Sequence, residues 1–318
     1  MHFLQVILMS GLVSAAAFIN PRQASSGHGC TNPEKRVEFR TLDAAAQTQY
    51  TNAVMCLSTK PSTLGLNTTL YDDFTYVHTH LNTIIHFVSM FLPWHRYFVQ
   101  LYHNHLRECG YTGPMVYWDW TPDAVNTAES SIWKVVGGNG GEKTEKTGDQ
   151  EWACLTDGPF KNLRPAYYKT TYAPHCLSRD FFDGENRPGT MRGIGYNAEE
   201  IQLINNKATY AEFRTYVESV PHGSIHSAVG GQKGDMKPSS STNDPLFFMH
   251  HTQVDRLWYL WQQGNPEARE KEVKDQKLYP DDGTIATLGD VMPFLGLAAD
   301  IKVSEVMTTQ NDLLCYTY

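Results

Sequence analysis

The sequence predicts a mainly α fold, a single domain with a central four-helix bundle, long loops and little β structure. Apolar residues recur at helical spacing after Trp94, at Phe98, Val99, Tyr102 and Leu106, and again through Phe247, Val254, Trp258 and Trp261. Helix-start signals precede several of these runs. Valine, isoleucine and threonine do not form the evenly spaced alternating runs of a β-sandwich, and no repeat or interdomain linker divides the chain. With 318 residues, 41% of them hydrophobic, the chain can bury a sizeable core.

Residues 1–17 form a short apolar stretch closed by Ala15, Ala16 and Ala17, the pattern of a secretory signal peptide, which leaves 18–318 as the folded domain. The run is too short to span a bilayer comfortably. All six cysteines lie beyond it (Cys30, Cys56, Cys109, Cys154, Cys176 and Cys315). An even number after such a leader reads as disulfides, whose pairing stays open. Asn67-Thr68-Thr69 is a glycosylation sequon that fits the same secreted compartment.

Within the domain, Thr41–Cys56 and Leu70–His80 read as helices, and a buried helix runs on from Trp94 with His95 on it. The segment from Gly137 to Gly148 reads as surface loop, because its GGNGGEKTEKTG lacks the ending of a phosphate loop. Leu177–Tyr196 is loop-rich, after which Asn197 with Glu200 marks a capped helix start. A helix then covers about Tyr210–Val220. Asn243-Asp244-Pro245 opens the last long helix, with Asp244 as cap and Pro245 in the first turn.

A formal charge of -8 gives no basic footprint for nucleic acid, and no lysine or arginine run offers a membrane-docking surface. Small molecules are the expected partners. The histidines carry the chemical signal. The stretch HFVSMFLPWHRYF places His86 and His95 among aromatic residues, and HGSIH sets His222 and His226 four residues apart on one helix face, able to share one ion. His251 lies on the apolar face of the following helix and is available as a third ligand. His78, His86 and His95 form a comparable set, so two metal ions are implied. Imidazoles without carboxylates suit copper or zinc and disfavour magnesium and calcium. A three-histidine site also leaves a position open for a small molecule.

Five motifs then resemble those of the type-3 copper family, which comprises tyrosinases, catechol oxidases, o-aminophenol oxidases and hemocyanins, and the chain is similar to its short fungal secreted members. They are Asp72-Asp73-Phe74 before His78, F-L-P-W-H-R ending at His95 and Arg96, Tyr117-Trp118-Asp119-Trp120, His222-x3-His226, and N-D-P-L-F-F-M-H-H-T-Q-V-D-R-L-W from Asn243 to Trp258. The likeness runs from about Arg36 to Tyr318. It implies that His78, His86 and His95 hold one copper ion and His222, His226 and His251 the other. It also implies that O2 is the oxidant of a small phenolic substrate, taking a catechol or o-aminophenol to a quinone or quinone imine. His80 is the rival to His78, and the D-D-F pattern favours His78. His250 points away from Phe247, Val254 and Trp258 and is placed outside the ligand set. His103 and His105 are read as surface or packing residues.

The aromatic wall around the ligands excludes water that would protonate them. Asp255, one turn after His251, suits two roles, as acceptor for a ligand imidazole or as partner of a nearby arginine. In the family a glutamate near the second copper and an asparagine after its first histidine orient a water for monophenol hydroxylation. Glu218 matches the glutamate, whereas Gly223 replaces the asparagine, so hydroxylation is expected to be weak or absent. The resemblance places Met236 among positions lining the entrance and Ser227 just after the second histidine of the pair, both suited to tune substrate fit, with packing the equal alternative for Met236. No cysteine lies close enough before His86 for the family's cysteine–histidine link. The closing Cys315-Tyr316-Thr317-Tyr318 resembles the end of the catalytic domain in longer relatives, which implies no shielding domain. A tyrosinase with full monophenolase activity, an oxygen carrier like hemocyanin and a zinc enzyme of non-redox metabolism are the alternatives.

Overall fold

The computed structural model describes residues 29–182 and 191–318, so the 1–17 leader lies outside the described residues. The fold is helical, as expected. Helix α1, Ala44–Leu57, starts where Asp43 accepts the Ala46 N–H at 2.8 Å, and it buries Tyr50, Ala53, Val54 and Leu57. Helix α2, Leu70–Ile85, opens with a reciprocal capping box between Thr69 and Asp72. It outruns the expected end at His80 because Leu81 and Ile85 continue the buried face past the polar residues.

Helix α3, Phe91–Glu108, carries Pro93 in its first turn, where the missing N–H costs nothing. Helices α4, Trp133–Val136, and α5, Ala198–Asn205, are short, and Asn197 caps the latter by accepting the Glu200 N–H at 3.0 Å. Helix α6, Tyr210–Val217, passes through one π turn, Glu218–His222, into α7, Gly223–Gly230. In that turn the Gly223 N–H reaches back five residues to the Glu218 carbonyl, so Pro221 is accommodated without ending the rod. Helix α8 spans Leu246–Gln263 and is followed by α9, Pro266–Arg269. Asp244 accepts the Leu246 N–H at 3.0 Å, with Pro245 as the first flanking residue, one position from the expected arrangement.

Helices α2, α3, α6–α7 and α8 form the central bundle, with α3 and α8 in the most extensive contact. Strands are confined to two-stranded pairs among the described residues. One of them corrects the sequence reading. Gly140–Thr147 is not surface loop but a strand antiparallel to Gln150–Leu155, turned by Gly148 and Asp149. Its polar GEKTEKT run faces solvent, while Trp152, Cys154 and Leu155 on the partner strand supply the buried side. A ribbon buried on one strand only leaves no apolar alternation on the other to detect.

The disulfides are Cys30–Cys315, Cys56–Cys109 and Cys154–Cys176. The first ties the two ends of the described fold together, the second joins the ends of α1 and α3, and the third anchors the hairpin. All six cysteines are thereby used, which leaves no sulfur for a link to His86.

Candidate metal centre

Each bundle helix delivers histidines to the same interior volume. His78 projects from α2, His86 sits at its C-cap and His95 lies one turn into α3, and their ring nitrogens fall within 4.8 Å of one another. Facing them, His222 closes the π turn, His226 follows on α7, and His250 and His251 lie on α8, also within 4.8 Å of one another. The two groups touch. The His95 and His251 rings stack at 4.4 Å between centroids, and His86 and His222 lie 6.2 Å apart. His80 is exposed, with its Nδ1 on the Tyr76 carbonyl. His105 pairs with Glu108, and His103 is a buried packing residue on the Gly113 carbonyl.

Backbone carbonyls fix the protonation pattern of these rings. His78 Nδ1 bonds Ser239 O at 2.8 Å, His86 bonds Asn82 O at 3.2 Å, His95 bonds Phe91 O at 2.7 Å and His222 bonds Glu218 O at 2.9 Å. His226 Nδ1 bonds Met236 O. A carbonyl only accepts, so each Nδ1 carries the proton and each Nε2 keeps its lone pair. The Nε2 atoms of His78, His95 and His222 are buried with no protein partner, and those of His226 and His251 face each other at 3.4 Å. Buried lone pairs left unpaired and facing one another are what a bound cation resolves, so the residues fit a pair of ions.

Burial also keeps the rings neutral. It pushes His86 and His226 down to about 4 and holds His78, His95, His222 and His251 well below the usual histidine range, with neighbouring imidazoles adding to the effect in all but His226. Neutral imidazole is the form that binds metal.

Of the two roles expected for Asp255, the structure takes the one as partner of an arginine. Its carboxylate meets no imidazole. Instead Arg96 Nε donates to Oδ1 at 2.5 Å, while Arg36 at 3.1 Å, Tyr318 at 2.5 Å and Tyr316 donate to Oδ2. On α8 the carboxylate points toward α3 and the C-terminal segment, so it braces the helix that carries His251 without touching the ring. The Met236 side chain is fully buried, in keeping with a packing role, and its carbonyl is held by His226. Gly223 and Ser227 are half-buried on α7. His250, expected outside the ligand set, nonetheless lies within the second histidine group, its ring packed nearly parallel to that of His222 at 5.4 Å. Helical spacing placed it off the apolar stripe, but the histidine group lies beside that stripe and α8 presents both rings to it.

Sequence reasoning missed the support loop that follows α7. Gly231, with φ +48, turns the chain where any Cβ would fall 2.1 Å from the Asp180 carbonyl oxygen. The loop then supplies Met236 O to one histidine group and Ser239 O to the other. Asp235 anchors it, accepting from Ser178 N and Oγ at 2.9 and 2.8 Å, Asn243 Nδ2 at 2.8 Å and His175 Nε2 at 2.9 Å. An aspartate directly after Gly230, Gly231 and Gly234 was the available signal.

The His175 pair makes stability depend on pH. Burial alone would lower His175, but the Asp235 charge and hydrogen bond outweigh it and raise the imidazole above its ordinary 6.5. A folded-state value above the unfolded one gives stability that is complete below about pH 6.5 and is lost as pH rises through the folded value. Urea unfolding of the wild type is expected to show this loss above neutral pH, and Asp235→Asn to flatten it. A parallel pH dependence in both proteins would remove the pair from the account.

A helical bundle that gathers two facing sets of neutral imidazoles fits the class of dinuclear, histidine-ligated metalloproteins. The chain belongs to the tyrosinase family of type-3 copper proteins, and residues 68–264 match the common central domain of tyrosinase. It is 43% identical over 293 residues to Tyrosinase ustQ of Aspergillus flavus, spanning 91% of this chain and 80% of that protein. It is 40% identical over 310 residues to Tyrosinase-like protein phomQ2 of Diaporthe leptostromiformis, spanning 96% and 78%. Among solved structures, a polyphenol oxidase mutant from Thermothelomyces thermophila superposes with a TM-score of 0.75 at 27% identity, over 90% of this chain and 88% of that one.

Proposed function

We propose that the chain is a secreted copper oxidase that uses O2 to convert o-diphenols or o-aminophenols to quinones or quinone imines, with little hydroxylation of monophenols. His78, His86 and His95 would hold one copper ion and His222, His226 and His251 the other. Bound copper would supply O2 activation and accept the substrate's electrons. The protein's own part is to hold five of the six rings through backbone carbonyls, which keeps Nε2 of His78, His86, His95, His222 and His226 unprotonated, and to keep bulk water out with Phe91, Trp94 and Phe247.

The restriction on monophenols rests on Glu218. Its Oε1 accepts the Phe87 N–H at 2.7 Å and its Oε2 accepts Arg214 Nη1 at 3.0 Å, so both oxygens are already engaged. Burial, partly offset by these donors, pushes its carboxyl up to about 7. Gly223 offers no side chain to help Glu218 hold a water. Secretion is supported by the apolar leader and the three disulfides, and no helix among the described residues is long and apolar enough to cross a membrane. Asn67 is exposed and would carry a glycan in that compartment.

The test loads purified protein with copper and compares tyrosine, 4-tert-butylcatechol and 2-aminophenol. Copper near two per chain and rapid turnover of the last two substrates are expected, with tyrosine near background. Gly223→Asn is expected to raise tyrosine hydroxylation, since a Cβ there meets nothing closer than the Glu218 carbonyl at 3.4 Å. Fast tyrosine hydroxylation by the wild type would overturn the restriction. Reversible oxygenation without turnover would favour a carrier, and zinc in place of copper would remove the oxidase reading.

A further inference from the structure

We propose that His250 is not a fourth ligand but a hydrogen-bond donor within the second histidine group, placed to hold an anionic atom there, the phenolate oxygen of a substrate above all. The inference rests on the copper reading for the identity of the neighbouring ion. Its structural part stands independently.

The indole Nε1–H of Trp120 lies 3.2 Å from His250 Nδ1. An indole nitrogen can only donate, so Nδ1 must present its lone pair. That excludes the imidazolium form, in which both nitrogens carry protons, and it puts the single ring proton of His250 on Nε2. The pattern is the reverse of that in His78, His86, His95, His222 and His226, where a carbonyl holds the proton on Nδ1. A nitrogen that bears a proton cannot also give its lone pair to a metal. His250 therefore stands in a ligand cluster with the wrong tautomer for a ligand.

The Nε2–H is also left over. It is buried and has no acceptor in the protein. The ring stacks with His222 at an interplanar angle of 17° and meets His226 edge to face at 5.0 Å, so it is fixed within the group. A buried donor without an acceptor is costly unless a ligand completes it. An anion entering the site would complete it.

The test uses azide as the anion. Long-range proton–nitrogen spectra of the diamagnetic dicuprous protein under argon, with His250 assigned through His250→Phe, are expected to show its proton on Nε2. In the dicupric protein, His250→Phe is expected to retain two copper ions per chain while weakening azide binding about tenfold, the scale of one hydrogen bond to a charged group. His250→Gln, which keeps an N–H, is expected to recover most of that loss. Copper falling toward one per chain in His250→Phe, a proton on Nδ1, or unchanged azide affinity would each overturn the proposal. Should the phenylalanine variant not fold, the wild-type spectrum decides, with assignment through Trp120→Phe. If the wild type takes up no copper, the copper reading fails, and the spectrum of the metal-free protein still judges His250.

Discussion

Replacing His251 with alanine is expected to reduce copper from two toward one ion per chain and to remove oxidation of 4-tert-butylcatechol. His251 is the residue through which α8 reaches both groups, stacked on His95 at 4.4 Å and facing His226 Nε2 at 3.4 Å. Loss of an outer partner of a metal ligand costs about 10–100-fold in affinity or activity, and loss of the ligand itself exceeds that. The fold should survive, because the removed ring satisfies no protein hydrogen-bond partner through its Nδ1. Metal analysis and a catechol assay check the outcome, with His80→Ala as the control that leaves both unchanged. An active His251→Ala protein with two copper ions would remove His251 from the ligand set.

Asp255→Asn is expected to be the most destabilising single change outside the histidines. One carboxylate faces two guanidinium groups that are themselves fully buried, Arg36 and Arg96, plus the hydroxyls of Tyr316 and Tyr318. Arg96 is also stacked over Trp258 at 3.6 Å, and it donates to the carbonyls of Val306 and Met307 at 3.0 Å. Neutralising the only anion of this cluster leaves two buried cations uncompensated, a loss of about 3–5 kcal/mol by analogy with broken buried pairs. Burial would raise Asp255, but Arg96 and Arg36 outweigh it and hold the carboxyl below its ordinary range. The stabilisation is therefore present above the unfolded value of about 3.8 and is lost as pH falls below it. Urea titration of Asp255→Asn against Arg107→Ala, which breaks only the exposed pair with Glu34, checks this, and the latter should change by less than about 1 kcal/mol. Equal effects would deny the cluster its role.

The helices and their histidines were legible because they repeat a simple rule. Asn197 and Asp244 announce starts, and the apolar stripe of α3 fixes which side of His95 is buried. The π turn was not legible, because Pro221 gives a reason to end a helix and none to widen it. The hairpin at 140–155 escaped because its exposed strand has the composition of a loop. The surroundings of His250 and Asp255 were only partly legible, for one shared reason. Spacing along a helix tells which residues share a face, but the choice between an imidazole and a guanidinium as neighbour depends on distant segments, here Trp120, Arg36 and Tyr318.

The carbonyls of Met236 and Ser239 stand three residues apart and steady one ring in each group. A short length of backbone thus gauges the gap between the two ion positions. Adding or deleting a residue between 236 and 239 would shift both rings together and change the span that a bridging molecule must cross. The same insertion at the tip of the 140–155 ribbon would merely lengthen a solvent-facing turn.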